Sequence, residues 1–154
     1  MNVTVVHGDL LDQKVDALVN AWNRNVIPWW LLIPQGVAGA IKRRAGTGPF
    51  RELARKGALP LGHAVLTSAG HLPHRGIIHV AAINLLWRAS EASIQRSVHN
   101  AVEVAREQEF QSIAFPVLGS GVGGFSVEAA LSLMRTALDG CDYDGEVVIV
   151  RYEA

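Results

Sequence analysis

The residues best suited to chemistry fall at a few places along the chain. Gly119-Ser120-Gly121-Val122-Gly123-Gly124 fits the pattern G-x-G-x-x-G. It follows a strand-like run, Ser112 to Val117, and precedes Ser126, a residue type that caps helix N-termini. Backbone N–H groups in such a turn, with a helix N-terminus behind them, form an anion site. Four glycines in six residues favour phosphate binding over a plain tight turn. Gly36-Val37-Ala38-Gly39 opens another helical stretch and offers a second amide nest, although alone it reads as ordinary glycine usage at a helix start. Asp9 directly follows the first strand-like run. Its carboxylate suits an amine such as the adenine N6 group, or a turn cap shared with Asp12. Asn20 stands inside the apolar stretch Ala17 to Trp22, where an unpaired amide is costly. With Asn23 it offers the donor and acceptor pair that suits a sugar diol or an oriented water.

Other chemistries fit less well. Thirty residues follow Gly124, too few for the remaining units of a dinucleotide-binding fold. No Gly-Lys-Ser/Thr occurs, so a Walker loop is absent. His71 and His74 lie close together without a metalloprotease pattern and read as surface-loop residues, so no metal site and no cofactor is expected. His7 and His79 fall on strands and read as hydrogen-bonded core residues. The single cysteine, Cys141, excludes an internal disulfide and reads as inert.

The elements that must position these residues are legible. Val3 to His7, Ala17 to Trp22, Ala64 to Thr67, Ile77 to Val80, Ser112 to Val117 and Glu146 to Arg151 read as strands. Val37 to Arg44 reads as a helix ended at Gly46, and Pro49 opens a short one, Phe50 to Lys56, stopped by Gly57. Ser90 opens a helix whose stripe is Ile94, Val98, Ala101, Val102 and Ala105. Ser126 caps the last helix, Val127 to Leu138, ended by Gly140. Asn23 to Gln35, with two prolines and no period, reads as an apolar loop. Alternating strands and helices give an α/β class, with helices on both faces of a mixed sheet.

The chain has 154 residues, enough for one domain spanning 1–154, and 49% of them are hydrophobic, enough for a core. Lys plus Arg and Asp plus Glu are 14 each, a balance that argues against an electrostatic nucleic-acid binder. The N-terminus shows no basic, apolar leader, which predicts a cytoplasmic protein, and the longest apolar stretch is too short to span a bilayer.

Taken in order, Gly8-Asp9-Leu10, Val15 to Asn23, Gly36 to Ile41, Arg44-Ala45-Gly46, His79-Val80 and the 119–125 loop resemble a macrodomain, the ADP-ribose-binding fold. The resemblance spans essentially the whole chain and implies a three-layer α/β/α sandwich around a mixed sheet. It implies that Asp9, with Leu10 beside it, contacts the adenine. Asn20 and Asn23 would lie by the distal ribose and carry catalysis. Gly36, Val37 and Ala38 would face Gly119, Ser120, Gly121, Val122, Gly123 and Gly124 across the pyrophosphate. Phe125 would pack on the distal ribose, and Tyr152 would cover the adenine.

The chain departs from the family at informative positions. The largest hydrolytic class carries an Asp where this chain has Ala38, and a second class has an acid where it has Gly123. The glutamate pair of poly-ADP-ribose glycohydrolases is absent. The segment Arg24 to Gln35 is longer and more apolar than the usual glycine-rich loop, and reads as a lid over the distal ribose, a core plug or a dimer contact. The resemblance thus implies binding of ADP-ribose or ADP-ribosylated protein, with neither membrane nor nucleic acid expected as a partner. It is consistent with hydrolysis of mono-ADP-ribose from acidic side chains, the water being held by Asn and the ligand phosphate, and equally with a non-catalytic reader.

Overall fold

A parallel strand covered on both faces has no polar side to alternate with, and so reads as an unbroken apolar run. Ala17-Leu18-Val19 and Ile77-Ile78 are such runs, and every residue in them is buried. The computed structural model describes residues 1–31, 36–84, 88–120 and 123–152. Strands β1 (Asn2–Gly8), β2 (Ala17–Trp22), β3 (Ala64–Thr67), β4 (Gly76–Ala81), β5 (Ser112–Pro116) and β6 (Glu146–Tyr152) form a six-stranded sheet in the order β1-β6-β5-β2-β4-β3. All neighbours are parallel except β3, which runs antiparallel to β4 at the edge.

Side chains alternate across each strand. Ala17 and Val19 of β2 enter the core beneath α3 (Glu91–Glu107) and α4 (Val127–Asp139). Leu18 and Trp22 enter the opposite core, with residues of α1 (Gly36–Ala45) and α2 (Gly48–Arg55). The result is a three-layer α/β/α sandwich, as the alternating elements imply.

Local signals set the helix ends. The Ser90 side chain accepts from the Ser93 N–H while Ser93 bonds back to the Ser90 N–H, a reciprocal box that starts α3. Ser126 accepts from the Ala129 N–H and starts α4. Gly46 (φ +82) and Gly57 (φ +74) take left-handed conformations after α1 and α2. Gly140 ends α4 with φ −89, so that helix closes without a left-handed cap.

The connectivity locates a crevice. β2 leads to α1 on one face of the sheet, and its neighbour β5 leads to α4 on the other. Where adjacent parallel strands send their chains to opposite faces, a cleft opens at their carboxyl ends.

Candidate functional site

The β5 side of this crevice is the loop after Pro116. Gly119 is buried with φ +81, and an added Cβ would stand 2.5 Å from Ile94 Cδ1 and 3.2 Å from Ala89 Cβ. Only glycine lets the chain turn this close to α3. The loop then folds on itself. The Ser120 hydroxyl donates to the Val117 carbonyl at 3.0 Å, and the Phe125 N–H donates to the Gly119 carbonyl at 3.0 Å. Gly123 is buried, and its carbonyl accepts from the Ala89 N–H at 3.0 Å. Gly124 is exposed, with φ +94. Gly121 and Val122 lie outside the described residues. Phe125 is half-buried against the core beneath α3 and α4.

The β2 side begins with Asn20, and its surroundings are fully enclosed. Asn20 is 0% exposed, and its Nδ2 donates to His79 Nδ1 at 3.0 Å. His79 lies opposite it in register on β4. The Thr67 hydroxyl donates to the Ser68 carbonyl at 3.0 Å, so His79 Nε2 carries the proton that reaches Thr67 Oγ1 at 2.8 Å. The imidazole is therefore the neutral Nε2–H form. Burial lowers its pKa to about 3. The chain of bonds leaves one group over, since Asn20 Oδ1 is buried with no partner. Asn20 therefore stands in the floor of the crevice, tied to His79 through its Nδ2 and with its Oδ1 left unpaired.

Asn23 follows the strand and is 4% exposed. Its Oδ1 accepts from the Asn25 N–H at 2.7 Å, which leaves the amide NH2 for another acceptor. Asn25 was not singled out by its sequence, yet it organises the loop. At φ +60 its Oδ1 accepts from Trp22 Nε1 at 3.2 Å, and its Nδ2 donates to the carbonyls of Leu53 and Gly57 at 2.7 and 2.9 Å. Asn is among the few residues that adopt this conformation readily. That is the only signal in the sequence that could have marked it.

The two adjacent tryptophans part company. Trp29 is half-buried, packs on Phe50 at 6.1 Å between centroids, and lies under Lys42 Nζ at 5.2 Å. Phe50 in turn meets Trp22 at 5.4 Å and the edge of His79 at 6.2 Å. Trp29 therefore acts as a core plug, whereas Trp30 is 65% exposed. Leu32, Ile33, Pro34 and Gln35 lie outside the described residues.

Gly36 starts α1 with φ +57, and Val37 and Ala38 pack half-buried on the core of that face. The first turn of α1 carries no acidic residue. Asp9 takes the capping role weighed for it. Its Oδ1 accepts from the Leu11 N–H at 2.9 Å and opens a short 3₁₀ turn, Leu10–Asp12, with Leu10 buried. Arg44 Nη1 stands 3.6 Å from Asp9 and 3.0 Å from Asp12. These partners leave the second oxygen of Asp9 half-exposed beside a guanidinium. Tyr152 pairs with Gly8 at the end of β6 and is 77% exposed, free to lie over a ligand.

One histidine departs from expectation. His7 is exposed, at the end of the edge strand β1, although Val3 and Val5 on the same face pack against the core. An open cavity of about 1050 Å³ lies at the far end of the sheet, lined by Phe110, Ser112, Tyr143 and Glu146 where β5 and β6 begin. It contains none of the candidate residues.

Comparison with known proteins agrees with this geometry. A family model, the Macro domain, matches residues 19–134. The chain is 36% identical over 139 residues to an O-acetyl-ADP-ribose deacetylase of Citrobacter rodentium, covering 85% of this chain and 75% of that protein. It is also 36% identical over 164 residues to a Macro domain-containing protein of Listeria monocytogenes, covering 99% and 89%. Among solved structures it is similar to a mutant of the Oceanobacillus iheyensis macrodomain with ADPR, at TM-score 0.81 and 28% identity, covering 96% of this chain and 83% of that one.

Proposed function

The chain belongs to the Macro domain family, and on that premise we propose that it binds ADP-ribose in the crevice between β2 and β5 and hydrolyses mono-ADP-ribose esters of acidic protein side chains. The observation that carries this reading is the loop after β5, which only glycine at 119 allows to fold this tightly. β5 and β2 are neighbours and lead into this loop and toward α1, and in this reading backbone amides from both sides serve a diphosphate. In this reading residues 1–154 act as one domain. Gly36, Val37 and Ala38 line one side of the diphosphate, and Ser120 to Gly124 line the other. Phe125 and the Asn23 amide flank the distal ribose. Asp9 and Leu10 take the adenine, and Tyr152 covers it.

The chemistry follows from what the first turn of α1 carries. An ADP-ribosylated Glu or Asp is an ester, as is an O-acetylated ADP-ribose, the compound in the name of the Citrobacter relative. Water cleaves either to a carboxylate and a free ribose hydroxyl. Ala38 supplies no general base. The attacking water is oriented instead by the ligand's own phosphate and by the Asn23 NH2 group. Positioning of this kind supplies part of the rate enhancement that a base would otherwise complete. The missing carboxylate also favours a second reading, a module that binds ADP-ribose without cleaving it.

A turnover assay separates the two. Purified protein is mixed with a target mono-ADP-ribosylated on Glu, and released ADP-ribose is measured beside Asn23→Ala and Ala38→Asp. The hydrolase reading expects release by the wild type, loss of it in Asn23→Ala, and a rate raised about 10²–10⁴-fold in Ala38→Asp. No release by the wild type, with ADP-ribose still bound, leaves the reader.

A further inference from the structure

Zero net charge conceals a strongly uneven distribution. Residues 36–56, which hold α1 and α2, contain six Lys and Arg against a single acid, Glu52. The balancing acids lie mainly in the second half of the chain. Glu52 offsets one of these charges, but its oxygens accept from the Ser68 N–H and hydroxyl and it pairs with none of the cations among the described residues. Arg44 is neutralised by Asp9 and Asp12. Arg43, Arg51, Arg55 and Lys56 are exposed and make no ion pair among the described residues. Arg51 and Arg55 are four apart on α2 and so share one helix face.

An aromatic platform stands beside these cations. Asn25 ties the start of the 24–31 loop to the Leu53 and Gly57 carbonyls, at the end of α2 where Arg55 and Lys56 stand. Trp29 is pinned between Phe50 of α2 and Lys42 of α1. The next residue, Trp30, is thereby held at the surface of the basic layer with most of its ring in solvent.

We propose that the α1–α2 layer, with Trp30, docks a single-stranded nucleic acid. Three of the four free cations are Arg, whose planar fork matches phosphate oxygens. An exposed indole next to such a row offers a face on which an unpaired base stacks, the usual pairing in strand-binding proteins. A membrane surface fits less well, because α1 and α2 turn Ile41, Phe50 and Leu53 inward and show the cations outward. An acidic peptide would satisfy the charges but leave Trp30 without a flat partner. Neither Trp30 nor any of these four cations is among the residues proposed for the ligand of the β2–β5 crevice, and the inference stands whether or not that crevice cleaves an ester.

The test is fluorescence anisotropy of a labelled dT12 strand titrated with the whole protein from 50 to 200 mM salt. About four phosphates neutralised on a single strand give a log–log slope near −3, a loss of about 50-fold over that range. Arg43→Gln, Arg51→Gln, Arg55→Gln and Lys56→Gln combined should abolish the salt dependence, and Trp30→Ala should weaken binding about tenfold. Circular dichroism and retained ADP-ribose affinity report that these variants are folded. Binding to the wild type that is absent, or unchanged in the combined variant, overturns the proposal. So does capture by phosphatidylserine vesicles or polyglutamate with none by dT12.

Discussion

At the scale of single residues, His79 is the most informative. Its Nδ1 is spent on Asn20 and its Nε2–H on Thr67, so it has no free nitrogen for a metal or a substrate. Its folded pKa of about 3 lies below the unfolded value of 6.5. The unfolded chain therefore takes the proton first. Stability from this group is complete above pH 6.5 and declines as the pH falls from there toward 3. Urea unfolding compared between the wild type and His79→Gln should show the wild type losing about 2 kcal/mol relative to the variant between pH 6.5 and 4.5, since one pH unit is worth about 1.4 kcal/mol per proton. Parallel curves would mean that the imidazole takes its proton as readily in the folded protein as in the unfolded chain. The role of Asn20 in a polar network was partly legible, because an amide inside an apolar strand has to be paired. Its partner was not, because β2 and β4 meet only in the sheet, with the whole of α1, α2 and β3 between them in the chain.

At the scale of elements, the helices and strands were legible nearly to their ends, because their signals are local. Ser90, Ser126, Gly46 and Gly57 each act within a few residues of themselves. The loops were less so. Nothing in Trp29-Trp30 says which ring turns inward, because that depends on Phe50 and Lys42, brought up by two later helices. The loop after β5 yields a sharp expectation. Gly119→Ala combines a positive φ with a Cβ at 2.5 Å from Ile94, and should cost about 2–4 kcal/mol in thermal or urea unfolding. Gly124→Ala also sits at positive φ, but its nearest neighbour is the mobile end of Arg88 at 3.6 Å, so it should cost only about 1 kcal/mol. Equal losses would mean that close packing on α3 does not shape the loop.

At the scale of the whole molecule, the order β1-β6-β5-β2-β4-β3 sets β2 beside β5, and the chain leaves these two strands for α1 and α4 on opposite faces of the sheet. Composition carried no trace of this order, because strand neighbours are chosen by the packing of both layers at once. The same limit applies to charge. A balanced total said nothing of the basic run 36–56, which is visible in the sequence, while which of its cations stand exposed and unpaired among the described residues is read only from the structure. Most of the residues proposed for the ligand follow strands at the carboxyl edge of the sheet, so a single ligand engaging them must report on the fold and the site together.

Calorimetric titration of ADP-ribose into the wild type and into Asp9→Asn tests that most directly. The variant keeps the turn cap, because its amide oxygen still accepts from Leu11, and removes the charge offered to the adenine amine. One-site binding by the wild type, weakened by about 1–2 kcal/mol in Asp9→Asn, is the expected result. Absence of heat with the wild type at millimolar ADP-ribose would contradict the proposed site.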